Sequence, residues 1–208
     1  LCASIGVMEP SSLIQERIPM PKNIIAKSKL ENIQIKPNIT NYEELVDGFT
    51  WDQIKGEIDG LEGGGLNLAY EAIDRHVVHG RGKKIAFYWL GSKGEEEVYT
   101  FAEFQNQTNK FANVLKELGI GLGDRVFIFM DRVPELYFAF FGILKAGAVA
   151  GPLFSAFGPD PVKDRLLDSG AKVLITSPNL RKKIAGIFGD LPDLKHIIVA
   201  NKDGRHPE

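Results

Sequence analysis

Cysteine is almost absent from this sequence, since a single one, Cys2, occurs among 208 residues. One thiol cannot form an internal disulfide, which excludes the disulfide-rich scaffolds of small secreted proteins and is typical of a reducing compartment. Cys2 also lies in a segment without regular patterning, so we do not expect a cysteine nucleophile. We therefore expect a cytoplasmic protein of about one domain.

An excess of charge of one sign is also missing, because 25 Lys and Arg residues are balanced by 27 Asp and Glu residues. A nucleic-acid-binding domain usually has a basic excess, so we expect no nucleic-acid partner.

Long apolar runs are missing too: the stretch at residues 136–153 is interrupted by Gly142, Lys145, Gly147 and Pro152, which argues against a membrane span. The first twenty residues lack the pattern of a secretory signal.

Common catalytic signatures are not found either: there is no G-x-S-x-G and no H-E-x-x-H. Three glycines at residues 63–65 precede a helical pattern, but no strand pattern comes before them and no GKS or GKT follows. A flexible joint is therefore favoured over a phosphate-binding loop. His76 and His79 lie three apart on that helix, but no third ligand is close in sequence, so we expect no metal site.

The patterns that are present fall into two parts. Residues 1–40 contain several prolines and no sustained period, which predicts an extended leader. Residues 41–51 follow with Tyr42, Phe49 and Trp51, which we expect to fasten this entry segment to a core. A helix is then expected from Asn67, a plausible N-cap, to Gly80.

Residues 84–100 predict two strands joined by a glycine turn. Residues 100–119 predict an amphipathic helix, in which Thr100 and Glu103 form a capping box. Apolar strand patterns then alternate with helices: strands at 125–130, 148–153, 171–177 and 194–201, and helices from Pro134, at 159–170 and at 178–189. This alternation predicts an α/β fold with a doubly wound, mostly parallel sheet and flanking helices, which binds ligands at the carboxyl ends of its strands.

A basic triplet, Arg181, Lys182 and Lys183, follows the strand at 171–177 and is expected to open the last helical region. A cation beyond the carboxyl end of a strand can bind a phosphate. The alternative is a solvated helix face, which the local pattern alone favours.

Several runs of residues together resemble a known family, in its order and at its spacing. They are NYEEL with the following F.W, LNLAYEAIDRH, the helix with YTF and NVL, GDRVFIFMDRVPELYF, KAGAVAGPLFSAF, VKDRL.DS.AKVLIT and LP.LKHIIV. Residues 41–208 thereby resemble the amino-terminal portion of the large domain of AMP-forming acetyl-CoA synthetases, in the superfamily of acyl-adenylate-forming ligases. Medium-chain acyl-CoA ligases are the second choice.

The resemblance implies an acid–thiol ligase that uses ATP, Mg²⁺ and coenzyme A (CoA) to convert acetate, or another short acyl acid, into its CoA ester. The family's Ser/Thr/Gly-rich phosphate loop, its hinge and its small carboxy-terminal domain have no counterpart in these 208 residues. We therefore expect an amino-terminal fragment that is inactive alone, contains no catalytic residue, binds none of these cofactors tightly and tends to self-associate.

The same resemblance implies which residues face CoA. The turn at Phe154, Ser155 and Ala156 matches a turn beside the path of the CoA pantetheine, where the family often has a Gly-Gly pair instead of Ser-Ala. The family's contact to the CoA 3′-phosphate falls on Lys182, with Arg181 beside it.

Two alternatives stay open at this point. One is a non-catalytic relic that binds CoA or a protein. The other is a nucleotide-binding oxidoreductase of the same fold class, although the glycine fingerprint that such an enzyme needs is missing.

Overall fold

A computed structural model describes residues 41–200, together with Asn32, Gln34, Pro37 and Ile39. Apart from these four residues, the leader predicted at 1–40 lies outside the described part, as does Cys2. The chain divides into two compact units, residues 1–51 and 52–208. Among the described residues, no helix is both long and apolar enough to cross a membrane.

In the first unit, helix α1 (Tyr42–Gly48) begins after Asn41, whose side chain accepts a hydrogen bond from the Glu44 amide. The rings of Phe49 and Trp51 pack edge to face with centroids 5.2 Å apart. Tyr42, Phe49 and Trp51 are nevertheless 67%, 42% and 75% exposed. The burial that an anchoring role would need is therefore not found at these three side chains.

The elements that follow agree with the predicted alternation. Their bounds are α2 (Trp51–Lys55), two π-helical segments (Tyr70–Asp74 and Val77–Arg81), β1 (Ile85–Leu90), β2 (Glu96–Thr100), α3 (Phe101–Glu117), β3 (Arg125–Phe129), α4 (Pro134–Lys145), β4 (Val149–Leu153), α5 (Pro159–Ser169), β5 (Val173–Thr176), α6 (Pro178–Lys183), a 3₁₀ helix (Ala185–Asp190) and β6 (His196–Val199).

The helix predicted after Asn67 is present, but with π-helical hydrogen bonding. The Asn67 side chain caps its start by accepting from the amides of Ala69 and Tyr70, and Gly80 ends it with a φ of 75°. The single helix predicted at 178–189 is in fact two pieces, because the backbone of Ile184 leaves the helical region and a 3₁₀ turn follows. Gly186 and Gly189, which are poor helix formers, lie in that second piece.

The strands form two sheets. Strands β1 and β2 pair antiparallel as a hairpin, as predicted. The other four strands form a parallel sheet in the order β4-β3-β5-β6, which confirms the predicted α/β sheet. The capping box of α3 is also confirmed, since Thr100 and Glu103 exchange side-chain and backbone hydrogen bonds.

Helices cover both faces of the parallel sheet, which is why its central strands are apolar on both sides. On one face, Val126, Ile128, Val173 and Ile175 pack against α3 and α4. On the other, Phe129 and Leu174 pack against α5 and α6 through Val162, Leu166 and Leu180. Each fully buried aliphatic side chain of this kind contributes about 1.5–3 kcal/mol, so these two cores hold the strand ends in fixed positions.

Candidate functional site

The connections at the carboxyl edge of the sheet diverge, and this sets the place of the candidate site. The segment after β3 leads to α4 on one face, whereas the segments after β4 and β5 lead to α5 and α6 on the other. Because β3 lies between β4 and β5, a crevice opens beside its carboxyl end. Open α/β sheets bind ligands at such switch points.

The first component of the site is the turn after β4, which contains Phe154, Ser155 and Ala156. It is closed by a hydrogen bond from the Phe157 amide to the Phe154 carbonyl, 3.0 Å. The Phe154 ring is 62% exposed and packs edge to face on Phe157, with centroids 5.8 Å apart. The Arg165 guanidinium lies 4.6 Å from the Phe157 ring centroid and supports the turn from α5. An exposed aromatic ring on a braced turn can stack on a planar ligand group.

The second component is the basic triplet. The sequence suggested that the triplet opens the last helical region. In the structure it instead occupies the last turn of α6. Cations in a last turn lie near the helix's unpaired carbonyl groups, which favours them there. Within the described part of the chain, no hydrogen bond or ion pair engages the side chains of Arg181 and Lys182. Both are therefore available to an anionic ligand.

Lys183 joins the two components, and the sequence prediction of site residues missed it. Its ammonium donates to the carbonyl oxygens of Ser155, at 3.3 Å, and Ala156, at 3.2 Å. The same ammonium lies 6.0 Å from the ring centroid of Phe129 at the end of β3. A signal was present in the sequence: Lys183 is three residues after the buried Leu180 and so shares its side of α6, whereas Arg181 and Lys182 turn away.

A polar cavity of about 690 Å³ adjoins the turn. Ser155 lines it, together with Asp131 and Arg132 after β3 and with Ser92 and Glu95 of the β1–β2 hairpin. The Trp89 indole N–H donates to the Arg132 carbonyl at 2.8 Å and fixes the hairpin against this segment. A second cavity of about 550 Å³ shares Trp89 and Arg132 and is otherwise lined mainly by aromatic and aliphatic side chains.

The opposite, amino edge of the sheet is closed by internal pairs. Lys172 contacts Asp124 at 2.5 Å, and the Arg125 guanidinium donates to the carbonyls of Ser169 and Gly170, both at 2.8 Å. The Lys172 ammonium, and after it the Gly121 N–H, lower the pKa of Asp124 below its usual value. Groups paired in this way hold the scaffold together.

A third polar cluster lies between helices. Lys145 on α4 donates to Asp74 at 2.7 Å and to Asn109 on α3 at 2.6 Å. The Lys145 side chain is 10% exposed, and burial lowers its pKa although Asp74 opposes that change. The cluster fastens the first π-helical segment to the helix pair.

The other residues considered from the sequence do not form a site. The Nε2 atom of His79 contacts Asp59 at 2.8 Å, whereas the His76 ring packs on Phe101 at 4.6 Å. Within the described ranges, no group of three or more His, Cys, Asp or Glu side chains could bind a metal ion. Glycines 63, 64 and 65 all have positive φ, which suits a flexible joint.

The sequence resemblance implied two CoA-facing groups, and that role stays a prediction. The exposed Phe154 ring offers a stacking surface, and Arg181 and Lys182 offer charge for a phosphate.

Comparison with known proteins places this geometry in a family. The chain is 47% identical over 163 residues to an acetyl-coenzyme A synthetase of Bacillus subtilis, and the match covers 78% of this chain and 28% of that protein. It is 35% identical over 180 residues to a 3-hydroxypropionyl-coenzyme A synthetase of Sulfurisphaera tokodaii, covering 78% and 27%. A crystal structure of a Brucella canis acyl-CoA synthetase superposes with a TM-score of 0.69 at 27% identity, covering 80% and 30%.

This chain thus spans less than a third of the length of these relatives. The profile of the family described as "AMP-binding enzyme" matches residues 74–208, which is more than half of the chain. The fold and these matches agree, and the chain belongs to the AMP-binding enzyme family.

Proposed function

We propose that this chain is the amino-terminal part of an AMP-forming ligase that joins a short carboxylic acid, with acetate as the first choice, to coenzyme A. In the first step the carboxylate attacks ATP, giving an acyl-adenylate and pyrophosphate. In the second, the CoA thiol displaces AMP and gives the thioester. The similarity to two short-acyl CoA synthetases supports this substrate class.

The part of the reaction that we assign to these residues is the holding of CoA. One observation carries the assignment: the turn at Ser155 and Ala156 lies against the basic end of α6, at the carboxyl edge of the sheet. In our proposal the pantetheine passes the turn, Phe154 lies beside it, and Lys182, with Arg181 next to it, meets the 3′-phosphate. A guanidinium and an ammonium are the cations that phosphate groups bind in proteins.

The assignment is tested in the longest natural polypeptide that contains this sequence. Lys182→Glu should raise the Michaelis constant for CoA by about tenfold, because it replaces a favourable charge near the phosphate with a repulsive one. Carboxylate-dependent pyrophosphate–ATP exchange, which needs no CoA, should keep its rate. Lys195→Glu at the amino edge is the matched charge control. An unchanged Michaelis constant for CoA would remove Lys182 from the site.

We further propose that the 208 residues alone do not form the adenylate. Arg181, Lys182 and the turn residues are CoA-facing groups in our assignment, and none of them is suited to activate a carboxylate towards ATP. Incubation of the purified chain with acetate, ATP and Mg²⁺ should release no pyrophosphate, while the Bacillus subtilis relative provides the positive control. Measurable turnover would contradict this proposal.

The acyl group is tested with the longest natural polypeptide and a series of acids. We expect acetate or propionate to give the highest kcat/KM. A preference for hexanoate or octanoate would favour the alternative of a medium-chain acyl-CoA ligase. Binding of CoA without turnover of any acid would favour the alternative of a non-catalytic relic.

We also expect the 208-residue chain to self-associate. Strand β6 pairs with β5 alone among the described strands, so its outer side presents backbone groups to a second copy. An apolar groove of about 290 Å³, lined in part by Ile175, Ile198 and Phe138, lies beside it. Sedimentation velocity should show a concentration-dependent increase in mass; a single monomer peak at all concentrations would contradict the expectation.

A further inference from the structure

We infer that Lys183 is a positioning residue for CoA: it sets the orientation of the peptide between Ser155 and Ala156 and is itself no phosphate ligand. The inference rests on the proposed function, because it takes the turn as part of the CoA path. The three basic residues of α6 would then have two different tasks, although they are adjacent in the sequence.

The first step of the argument is where the Lys183 ammonium lies. It donates to two consecutive carbonyls, those of Ser155 and Ala156, which lie 28 and 27 residues earlier in the chain. It also faces the buried Phe129 ring, whose electrons attract a cation. Three favourable contacts therefore hold this ammonium at the turn, whereas Arg181 and Lys182 have no such partner among the described residues.

The second step is what these bonds do to the turn. The Ser155 carbonyl and the Ala156 N–H belong to one planar trans peptide and therefore point in opposite directions. Because Lys183 draws the carbonyl towards α6, the Ala156 N–H is directed away from α6. No hydrogen bond within the described part of the chain uses this N–H, and Ala156 is exposed. The result is a free donor that can meet an amide carbonyl of the pantetheine arm.

The third step concerns Ser155 and Ala156 themselves. The family resemblance implies a Gly-Gly pair at these two positions in many members, and glycine adopts many backbone conformations at little cost. A Ser-Ala pair is more restricted, and an ammonium that binds both carbonyls restricts it further. The residues of the turn do not by themselves determine its backbone conformation. Lys183 on α6 fixes that conformation by binding both carbonyls.

The experiment compares binding of CoA with binding of dephospho-CoA, which lacks the 3′-phosphate, to the longest natural polypeptide that contains the chain. Isothermal titration calorimetry gives both dissociation constants. Lys183→Met keeps the length of the side chain and removes the ammonium. It should weaken both ligands by the same factor, about tenfold, the change expected when charge-assisted hydrogen bonds to the turn are lost.

Two variants make the result specific. Lys183→Arg retains a cationic donor and should restore most of the affinity. Lys195→Met at the amino edge is the matched control and should bind both ligands as the wild type does. In steady-state kinetics Lys183→Met should raise the Michaelis constant for CoA more than it lowers kcat, and pyrophosphate–ATP exchange should be unchanged, which shows that the fold is intact.

The outcomes separate the inference from the proposed function. If Lys183→Met weakens CoA but not dephospho-CoA, Lys183 binds the phosphate directly and the positioning role is wrong. The positioning role is also wrong if Lys183→Met changes neither ligand while Lys182→Glu weakens CoA. If instead Lys182→Glu has no effect and the wild type binds both ligands equally, the phosphate assignment of the proposed function fails, and an equal loss on Lys183→Met still supports the positioning role.

Discussion

The close approach of α3 and α4 gives a sharp prediction at Gly142. A Cβ atom built at this position would lie 2.8 Å and 2.9 Å from two atoms of Phe111 and 3.0 Å from the Thr108 carbonyl oxygen. The two helices cannot move apart easily, because Lys145 on α4 donates to Asn109 on α3 and the buried Leu115 of α3 packs in the same core as Ile143 of α4. Gly142→Ala must therefore push the two helices apart or displace Phe111 from its packed position.

The expected magnitude follows from two opposing contributions. Overpacking of a well-packed contact costs about 1–3 kcal/mol. Alanine in a helix interior gains about 1 kcal/mol over glycine. Since two of the three contacts involve the Phe111 Cβ or the main chain, which cannot rotate away, we place the cost near the upper limit. The free energy of unfolding should fall by about 2 kcal/mol.

The measurement is equilibrium urea denaturation of the 208-residue chain, followed by far-ultraviolet circular dichroism. Gly186→Ala is the matched control, because no atom lies within 4 Å of the added Cβ and its φ is not positive. It should be neutral or slightly stabilising. A Gly142→Ala variant with the midpoint and slope of the wild type would show that the helices are not in such close contact.

Three further predictions concern the polar pairs and one helix start. Lys145→Met leaves the largely buried Asp74 without its cation and should lower the free energy of unfolding by about 2–3 kcal/mol in the same titration. The pKa of Asp124 is lowered by Lys172, so its carboxylate contributes stability above about pH 4 that is lost as the pH falls through the lowered value. Thermal melts between about pH 5 and pH 2 should therefore show a smaller loss of Tm in Asp124→Asn than in the wild type, and equal losses would contradict the pair. Thr100→Ala removes one half of the capping box and should cost about 1 kcal/mol, whereas an unchanged urea midpoint would mean that the box does not stabilise α3.

Much of the fold was predictable because local signals and the global arrangement agree. The run at Val173–Thr176 is apolar at nearly every position, and all four residues are buried, as a central parallel strand requires. Gly170 ends α5 in the left-handed conformation, a signal that can be read directly from the sequence. The helix end depends on one glycine and its neighbours, and the strand depends on a short run that is buried on both faces of the sheet. Both can therefore be read from a short window of sequence.

The departures from prediction depend on contacts that no short window contains. An aromatic residue such as Trp51 indicates burial on average, but its environment depends on residues distant in sequence. The break at Ile184 places Leu180, Ile184 and Ile187 in one buried cluster, and a spacing of three between the last two fits a 3₁₀ turn as well as an α-helix. Periodicity alone does not distinguish these two cases.

The candidate site was predicted less completely for the same reason. Its two components follow from the rule that ligands bind at the carboxyl edge and from the family resemblance. The bond between Lys183 and the turn after β4 spans nearly thirty residues and depends on the phase of a helix of six residues. One residue of error in that phase would place Lys182, and not Lys183, against the turn, so the contact could not be assigned from the sequence.

The hydrogen bond from the Trp89 indole to the Arg132 carbonyl has a practical consequence. The sequence contains two tryptophans, and Trp89 borders both cavities, whereas Trp51 is 75% exposed. Because indole emission responds to the polarity and hydrogen bonding of its surroundings, a Trp51→Phe protein would emit from the crevice alone. The molecule therefore contains a built-in optical reporter, and movement of the hairpin could be followed in real time without attaching a dye.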